Sequence, residues 1–137
     1  MGPEGASAVV LDTGALIAIE AGDNAIRALL KIAKLRNLPI YVPAPVIAEA
    51  WRGGSGKQTE LAIFLKNGQR QGYVRIVDLD YLTALQIGVL WSTVEARNVS
   101  VTDVMVAWCV RKFEGVVFTS DPEDLRHFLA EHLIQSI

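Results

Sequence analysis

Two unbroken apolar runs, Ala8-Val9-Val10-Leu11 and Val116-Val117-Phe118, constrain this chain most. They are too short for helices and lie almost at opposite ends of the sequence. Runs of this length read as strands buried on both faces. A strand of that kind needs helices above and below it, which is the setting of a parallel sheet. The intervening sequence supplies them. Behind Asp23, which can cap a helix, Ile26, Leu29, Leu30 and Ala33 recur at helical spacing. Leu82, Leu85 and Val89 share one face of another helix, capped by Asp78 or Asp80. Strands are expected at 8–12, 38–42, 73–77 and 115–119, with a last one at Leu133-Ile134. Thr13-Gly14 reads as a turn into a short helix ending near Gly22. Further helices are expected from Pro45 through Trp51, over 58–70, around Asp103 and from Pro122. Alternating strands and helices predict an α/β fold: one domain, a short parallel β-sheet flanked by helices on both faces. Residues 1–7 read as a flexible leader and 8–137 as the domain. The glycine-rich segment 53–56 is too short to divide it.

The 137 residues are 51% hydrophobic and 20% charged, a globular composition. No apolar run approaches the roughly 20 residues of a membrane helix, and no secretory signal is visible. A single cysteine, Cys109, excludes an internal disulfide framework. The cytoplasm is the expected location, with no membrane partner. Thirteen Lys and Arg against 15 Asp and Glu give a net charge of −2. That argues against a simple electrostatic nucleic-acid binder, but not against a nuclease that uses metal ions at the phosphate. The basic residues nearest in sequence to the acidic positions are Arg52, Lys57, Arg97, Arg111 and Lys112.

Four carboxylates sit at element ends, where open α/β sheets collect their chemistry. Asp12 closes the first apolar run, Glu49 follows Val46-Ile47-Ala48, Asp103 opens a helical stretch, and Asp121 follows the late strand. Converging carboxylates repel one another, and a hard divalent cation removes that conflict. The pattern therefore proposes a Mg²⁺ or Mn²⁺ site. Each residue also has a structural alternative. Ser100-Val101-Thr102-Asp103 fits a capping box. Asp121-Pro122-Glu123-Asp124 fits the same device, which makes Asp124 a structural residue. Glu49 reads alternatively as an exposed helical side chain. Asp12 has little capping to do unless Thr13-Gly14 begins a helix.

The segments Val10-Leu11-Asp12-Thr13-Gly14-Ala15-Leu16, Val46-Ile47-Ala48-Glu49, Val101-Thr102-Asp103-Val104-Met105-Val106-Ala107 and Val117-Phe118-Thr119-Ser120-Asp121-Pro122-Glu123-Asp124-Leu125 resemble the PIN-domain nucleases. Within that family the chain looks most like the small VapC toxins of type II toxin–antitoxin pairs. The resemblance spans residues 8 to about 128. It implies a metal-dependent endoribonuclease that hydrolyses RNA phosphodiesters, a homodimeric toxin core and a cognate VapB-like antitoxin. In such pairs a segment of the antitoxin covers an apolar groove and places a basic side chain in the acidic pocket. By the same resemblance, Asp12, Glu49, Asp103 and Asp121 are the catalytic residues and hold one or two Mg²⁺ or Mn²⁺ ions. Thr13, Thr119, Ser120 and, less directly, Asp124 support them. No His or Lys lies within the motifs, so the ion rather than a side-chain base would activate water. The glycine-rich segment 53–56 matches no feature of the family.

Other readings carry less. Asp12-Thr13-Gly14 also spells the aspartic-protease triplet, but those enzymes are β-rich. His127 and His132 are not spaced to share a helical face. Cys109 reads as core. Trp91 and Trp108 read as packing residues, whereas Trp51, beside Arg52 and near Glu49, is a candidate contact. The alternatives in function are a PIN nuclease of RNA processing without an antitoxin and a Mg²⁺-binding receiver-type signalling domain.

Overall fold

The computed structural model describes residues 5–53, 58–95 and 98–137. Five strands form one fully parallel sheet in the order β3-β2-β1-β4-β5. They are β1 (Ala8–Leu11), β2 (Ile40–Pro43), β3 (Val74–Val77), β4 (Gly115–Thr119) and β5 (Ile134–Ser136). Every residue of β1 and β4 is buried, as their unbroken apolar sequences require. The flanking strands β3 and β5 are only partly covered.

Among the described residues six α-helices complete the fold: α1 (Thr13–Ala21), α2 (Asn24–Leu35), α3 (Ala44–Ala50), α4 (Thr59–Gln71), α5 (Tyr81–Ser92) and α6 (Val101–Phe113). The chain winds outward from β1 to β3 through α1 to α4, then returns through α5 and α6 to place β4 on the other side of β1. Parallel crossovers are right-handed, so reversing the direction of travel moves the helices to the opposite face. Accordingly α6 packs across β1, β2 and β4 with α5 against it, while α1 contacts β1, β4, α3 and α4. The apolar positions dictate these seats. Ile26, Leu30 and Ala33 of α2 are buried, and Asp23 caps that helix by accepting from the Ile26 amide at 3.0 Å. In α6 seven of the thirteen residues are buried, which makes it the central helix of its layer. Among the described residues no helix is long and apolar enough to cross a membrane.

Three expectations are corrected. Thr13-Gly14 is not a turn before a helix but the first turn of α1, so Asp12 does cap it, accepting from the Ala15 amide at 2.9 Å. The helix expected from Pro122 is reduced to two short 3₁₀ turns, Asp124–His127 and Glu131–Leu133. The proposed cap fails because the Asp121 amide turns back to the Thr119 hydroxyl at 2.9 Å, and no side chain caps the first 3₁₀ turn. Finally, the face of α5 bearing Leu82, Leu85 and Val89 is outward. These side chains are 67, 52 and 69% exposed, and Tyr81 is 76% exposed, because α6 already covers the sheet and only Ile87 of α5 is buried. Residues 1–4 of the expected leader and 54–56 of the glycine-rich segment lie outside the described residues, as do Lys57 and Arg97.

Gly68 sets the seat of α4 on β3. A Cβ there would collide with the Val74 side chain. Alanine gains about 1 kcal/mol of helix propensity over glycine, whereas forcing a group into a packed interior costs about 1–3 kcal/mol. The overlap reaches Val74 Cβ as well as its methyl, so overpacking wins. Gly68→Ala is expected to lower stability by about 1–2 kcal/mol, read as a lower denaturation midpoint with an unchanged slope. An unchanged or higher midpoint would show that the seat is not tight.

Candidate active site

The sheet reverses its winding direction between β1 and β4. In open α/β folds, ligands bind outside the carboxyl ends of the strands at such a point. Leu11 pairs with Phe118, so Asp12 and Thr119 are the next residues out, and Ser120 and Asp121 follow. The β1–α1 connection fits there because residue 14 is glycine: a Cβ on Gly14 would strike the Ser120 side chain.

Asp12 is the hub. One carboxylate oxygen caps α1 through the Ala15 amide. The fully buried Thr119 hydroxyl also hydrogen-bonds this carboxyl, and the same hydroxyl accepts the Asp121 amide. Asp12 is nevertheless held above the usual carboxylate range. Burial is the main cause, the two hydrogen bonds oppose it, and the negative charges of Asp103 and Asp121 add to it. Those last two influences place Asp103 and Asp121 within electrostatic reach of Asp12.

Asp103 comes from the first turn of α6, where the capping box is formed as the sequence implies. Its Oδ2 accepts from the Ser100 amide at 3.2 Å and the Ser100 hydroxyl at 3.0 Å, while Ser100 caps the helix in return. Capping and site membership are therefore compatible, since a helix N-terminus favours a carboxylate. Asp124 joins the cluster. Partial burial and the neighbouring charges of Asp103 and Asp121 raise its carboxyl, a hydrogen bond with Asp103 acts the same way, and His127 opposes them. The reading of Asp124 as a helix-capping residue is thus replaced by a place beside Asp103.

Glu49 is held by two hydroxyls, from residues adjacent in sequence to Asp12 and Asp103. Its Oε1 accepts from Thr13 at 2.6 Å and its Oε2 from Thr102 at 2.9 Å. Thr13 thus hydrogen-bonds one carboxylate and Thr119 another. Thr102 was missed in the sequence, hidden inside the capping-box reading. The available signal was a polar residue in the first turn of an otherwise apolar helix, and it is buried. Ser120 lies against Gly14.

Among the described residues, three of the cations nearest the acidic positions in sequence are turned elsewhere, while Arg126 and His127 share a cavity with Asp124. Arg111 and Lys112 occupy the last turn of α6, eight residues or more from Asp103, roughly 12 Å at 1.5 Å per residue. The Arg52 guanidinium folds back onto the carbonyls of Trp51 and Ala48. Cys109 is core, and burial pushes its thiol up to about 12, which removes thiolate chemistry near neutral pH.

Among the described residues, no three carboxylate, imidazole or thiol groups are gathered closely enough to close a metal cage alone. Mg²⁺ is normally held by one or two carboxylates with several waters and substrate phosphate, and Mn²⁺ takes the same oxygen donors. The donor set is all hard oxygen, and a cation would relieve the repulsion felt at Asp12.

The family model described as the PIN domain matches residues 9–128. No curated protein matches the chain in a sequence search. Among solved structures, the chain is similar to VapBC2 of Rickettsia felis bound to a promoter DNA fragment, at 17% identity and TM-score 0.66, covering 94% of this chain and 96% of the other. It is similar to VapC20 of Mycobacterium tuberculosis, a toxin that cleaves the sarcin–ricin loop, at 16% identity and TM-score 0.64, covering 90% and 98%. It also resembles FitAcB from Neisseria gonorrhoeae, at 19% and TM-score 0.57, covering 94% and 96%. Likeness at these identities carries the fold alone.

The electrostatics make a direct prediction. A carboxyl raised by folding costs nothing below its unfolded pKa and destabilises increasingly as pH rises through its folded pKa. Asn caps a helix as well as Asp, so Asp12→Asn removes the charge and keeps the cap. In EDTA, Asp12→Asn is expected to melt higher than the unmodified protein at pH 7, with the gap closing towards pH 4. Equal melting temperatures at both pH values would contradict the repulsion at Asp12.

Proposed function

The chain belongs to the PIN-domain family, and on that premise we propose that it is a Mg²⁺- or Mn²⁺-dependent endoribonuclease with Asp12, Glu49, Asp103 and Asp121 as its catalytic set. The observation that carries the reading is the hub at Asp12, a partly buried carboxyl facing Asp103 and Asp121 at the strand switch point. A divalent ion bound there would acidify water and offset phosphate charge. The chain's own groups do the positioning. Thr13 and Thr102 fix both oxygens of Glu49. Ser100 fixes one oxygen of Asp103. Thr119 ties Asp12 to the backbone of Asp121. Asp124 extends the negative field beside Asp103. Family membership sets aside the receiver-type reading.

Within the family we favour a toxin of the VapC kind over an RNA-processing nuclease. The similarity to components of toxin–antitoxin complexes supports this. So does a groove of about 590 Å³ between α2 and α4, floored by Leu30, Ile63 and Phe64 and rimmed by Arg27, Lys31, Glu60 and Lys34, the last shared with the neighbouring cavity at the strands' amino ends. Its chemistry suits an amphipathic antitoxin segment with acidic flanks. A neighbouring gene product that co-purifies and silences cleavage would support the toxin; active enzyme without one would favour the processing nuclease. The exposed apolar face of α5 is the surface we assign to the homodimer, because Tyr81, Leu82, Leu85 and Val89 form a patch that a second copy would bury.

Incubated with total RNA, the protein is expected to give discrete fragments in Mn²⁺ and none in EDTA. Asp103→Asn should lower the rate by roughly 100-fold or more. Thr102→Val, which keeps the shape and deletes a hydrogen bond to Glu49, should lower it roughly 10-fold, since groups that orient metal ligands are worth roughly 10–100-fold. Cleavage undiminished by EDTA would overturn the metal-dependent reading. For the dimer, Leu85→Glu with Val89→Glu should yield a folded monomer in sedimentation, with its circular dichroism unchanged. A dimer that persists would move the interface elsewhere.

A further inference from the structure

The end of the sheet opposite the acidic centre carries a cavity of about 380 Å³, walled by Lys34, Asn37, Gln71, Tyr73 and Arg75. It lies where α2 runs into β2 and α4 into β3, at the strands' amino ends. Two features separate it from an ordinary patch of surface charge. First, no carboxylate lines it among the described residues; Glu114 shares this end of the fold but belongs to the junction of α6 and β4. Second, its cations rest on aromatic rings. Lys34 Nζ stands 4.5 Å above the Tyr73 ring. The Arg75 guanidinium lies 5.8 Å from the Tyr41 ring and donates to the Tyr41 hydroxyl at 3.3 Å. Tyr41 is in turn stacked on Phe113 at 3.8 Å. A ring orients a cation without neutralising it, so both charges keep their full field towards solvent. At the same end, Lys112 stands 5.1 Å over Trp108.

We propose that this cavity is an anchoring site for the phosphodiester backbone of single-stranded RNA, remote from the bond that is cut. Cations interleaved with aromatic rings are how proteins hold single strands without sequence preference. The acidic centre cannot perform this capture, because it repels phosphate until a cation is bound. The two sites lie at opposite ends of the strands and so at least one strand length apart, roughly 13–17 Å or more at about 3.3 Å per residue, several nucleotides of extended chain. The proposal rests on the ribonuclease reading above and assigns that enzyme its means of holding substrate.

The test uses a fluorescein-labelled 20-nucleotide RNA and anisotropy titrations in EDTA, with every protein carrying Asp103→Asn so that no strand is cut. Each phosphate contact to a single strand contributes a salt slope of about 0.7, or about 5-fold in affinity at 0.1 M salt. Lys34→Gln and Arg75→Gln should each lower affinity about 5-fold and the slope by about 0.7. Lys34→Arg should retain binding, and Lys66→Gln, on the outer face of α4, should change nothing. Melting curves check that each variant is folded. Affinities and slopes that stay unchanged in both glutamine variants would overturn the proposal. So would a fall equally large in Lys66→Gln, or polyglutamate binding that displaces the RNA and marks the cavity as a seat for an acidic protein. Mn²⁺-dependent cleavage by the unmodified protein is assayed separately, so loss of the anchor and loss of the nuclease reading are told apart.

Discussion

The parallel pairing of β1 with β4 is the constraint on which the rest depends. These strands are adjacent in the sheet yet about a hundred residues apart in sequence. The chain can join them only by winding outward to β3 and returning across the other face. The reversal leaves a crevice at their carboxyl ends, and Asp12 and Asp121 stand at its two sides. Burial of these two strands on both faces makes that pairing costly to slip. Carboxylates that would separate in solution are thereby held together by apolar packing far stronger than their repulsion.

The partners chosen for those carboxylates say what the centre is built to do. A guanidinium beside Asp12 would satisfy its charge permanently and compete with any incoming ion. The chain uses hydroxyls and backbone amides instead: Thr119 and Ala15 for Asp12, Ser100 for Asp103, Thr13 and Thr102 for Glu49. Such donors fix direction without cancelling charge. The centre is left oriented and electrostatically unsatisfied, at a cost in stability that proteins commonly accept at functional sites.

Much of this was legible in the sequence, and the parts that were not share a cause. Strand β4 and the caps at Asp23 and Ser100 are local facts, readable from composition and turn chemistry over a few residues. Errors entered where tertiary competition decides. Asp121-Pro122-Glu123-Asp124 has the letters of a helix start, but Asp124 is drawn to Asp103 and the Asp121 amide to Thr119, so the helix shrinks to a 3₁₀ turn. Leu82, Leu85 and Val89 have the spacing of a core stripe, but α6 had already filled that side of the sheet. Periodicity identifies an apolar face without naming what covers it. Asp12 has the sequence marks of either a ligand or a cap; in the fold it caps α1 while its charge remains strained, which no local pattern reports.

A net charge of −2 argues against a simple electrostatic nucleic-acid binder, and the fold shows that this sum conceals an uneven distribution. Charge in an α/β sheet is sorted by topology. Residues that follow strands gather at one end, and residues that close helices before the next strand gather at the other. Here the first group is rich in Asp, and the second holds Lys34, Arg111 and Lys112 in the last turns of α2 and α6. Basic residues suit those last turns because the helix dipole is negative there, so part of the segregation follows from helix stability alone. The outcome is still a molecule with an acidic end and a basic end, separated by about two Debye lengths or more at physiological salt. A polyanion meeting it would feel attraction and repulsion within one encounter. It would be oriented before any ion enters the acidic centre, which near-zero net charge alone could never reveal.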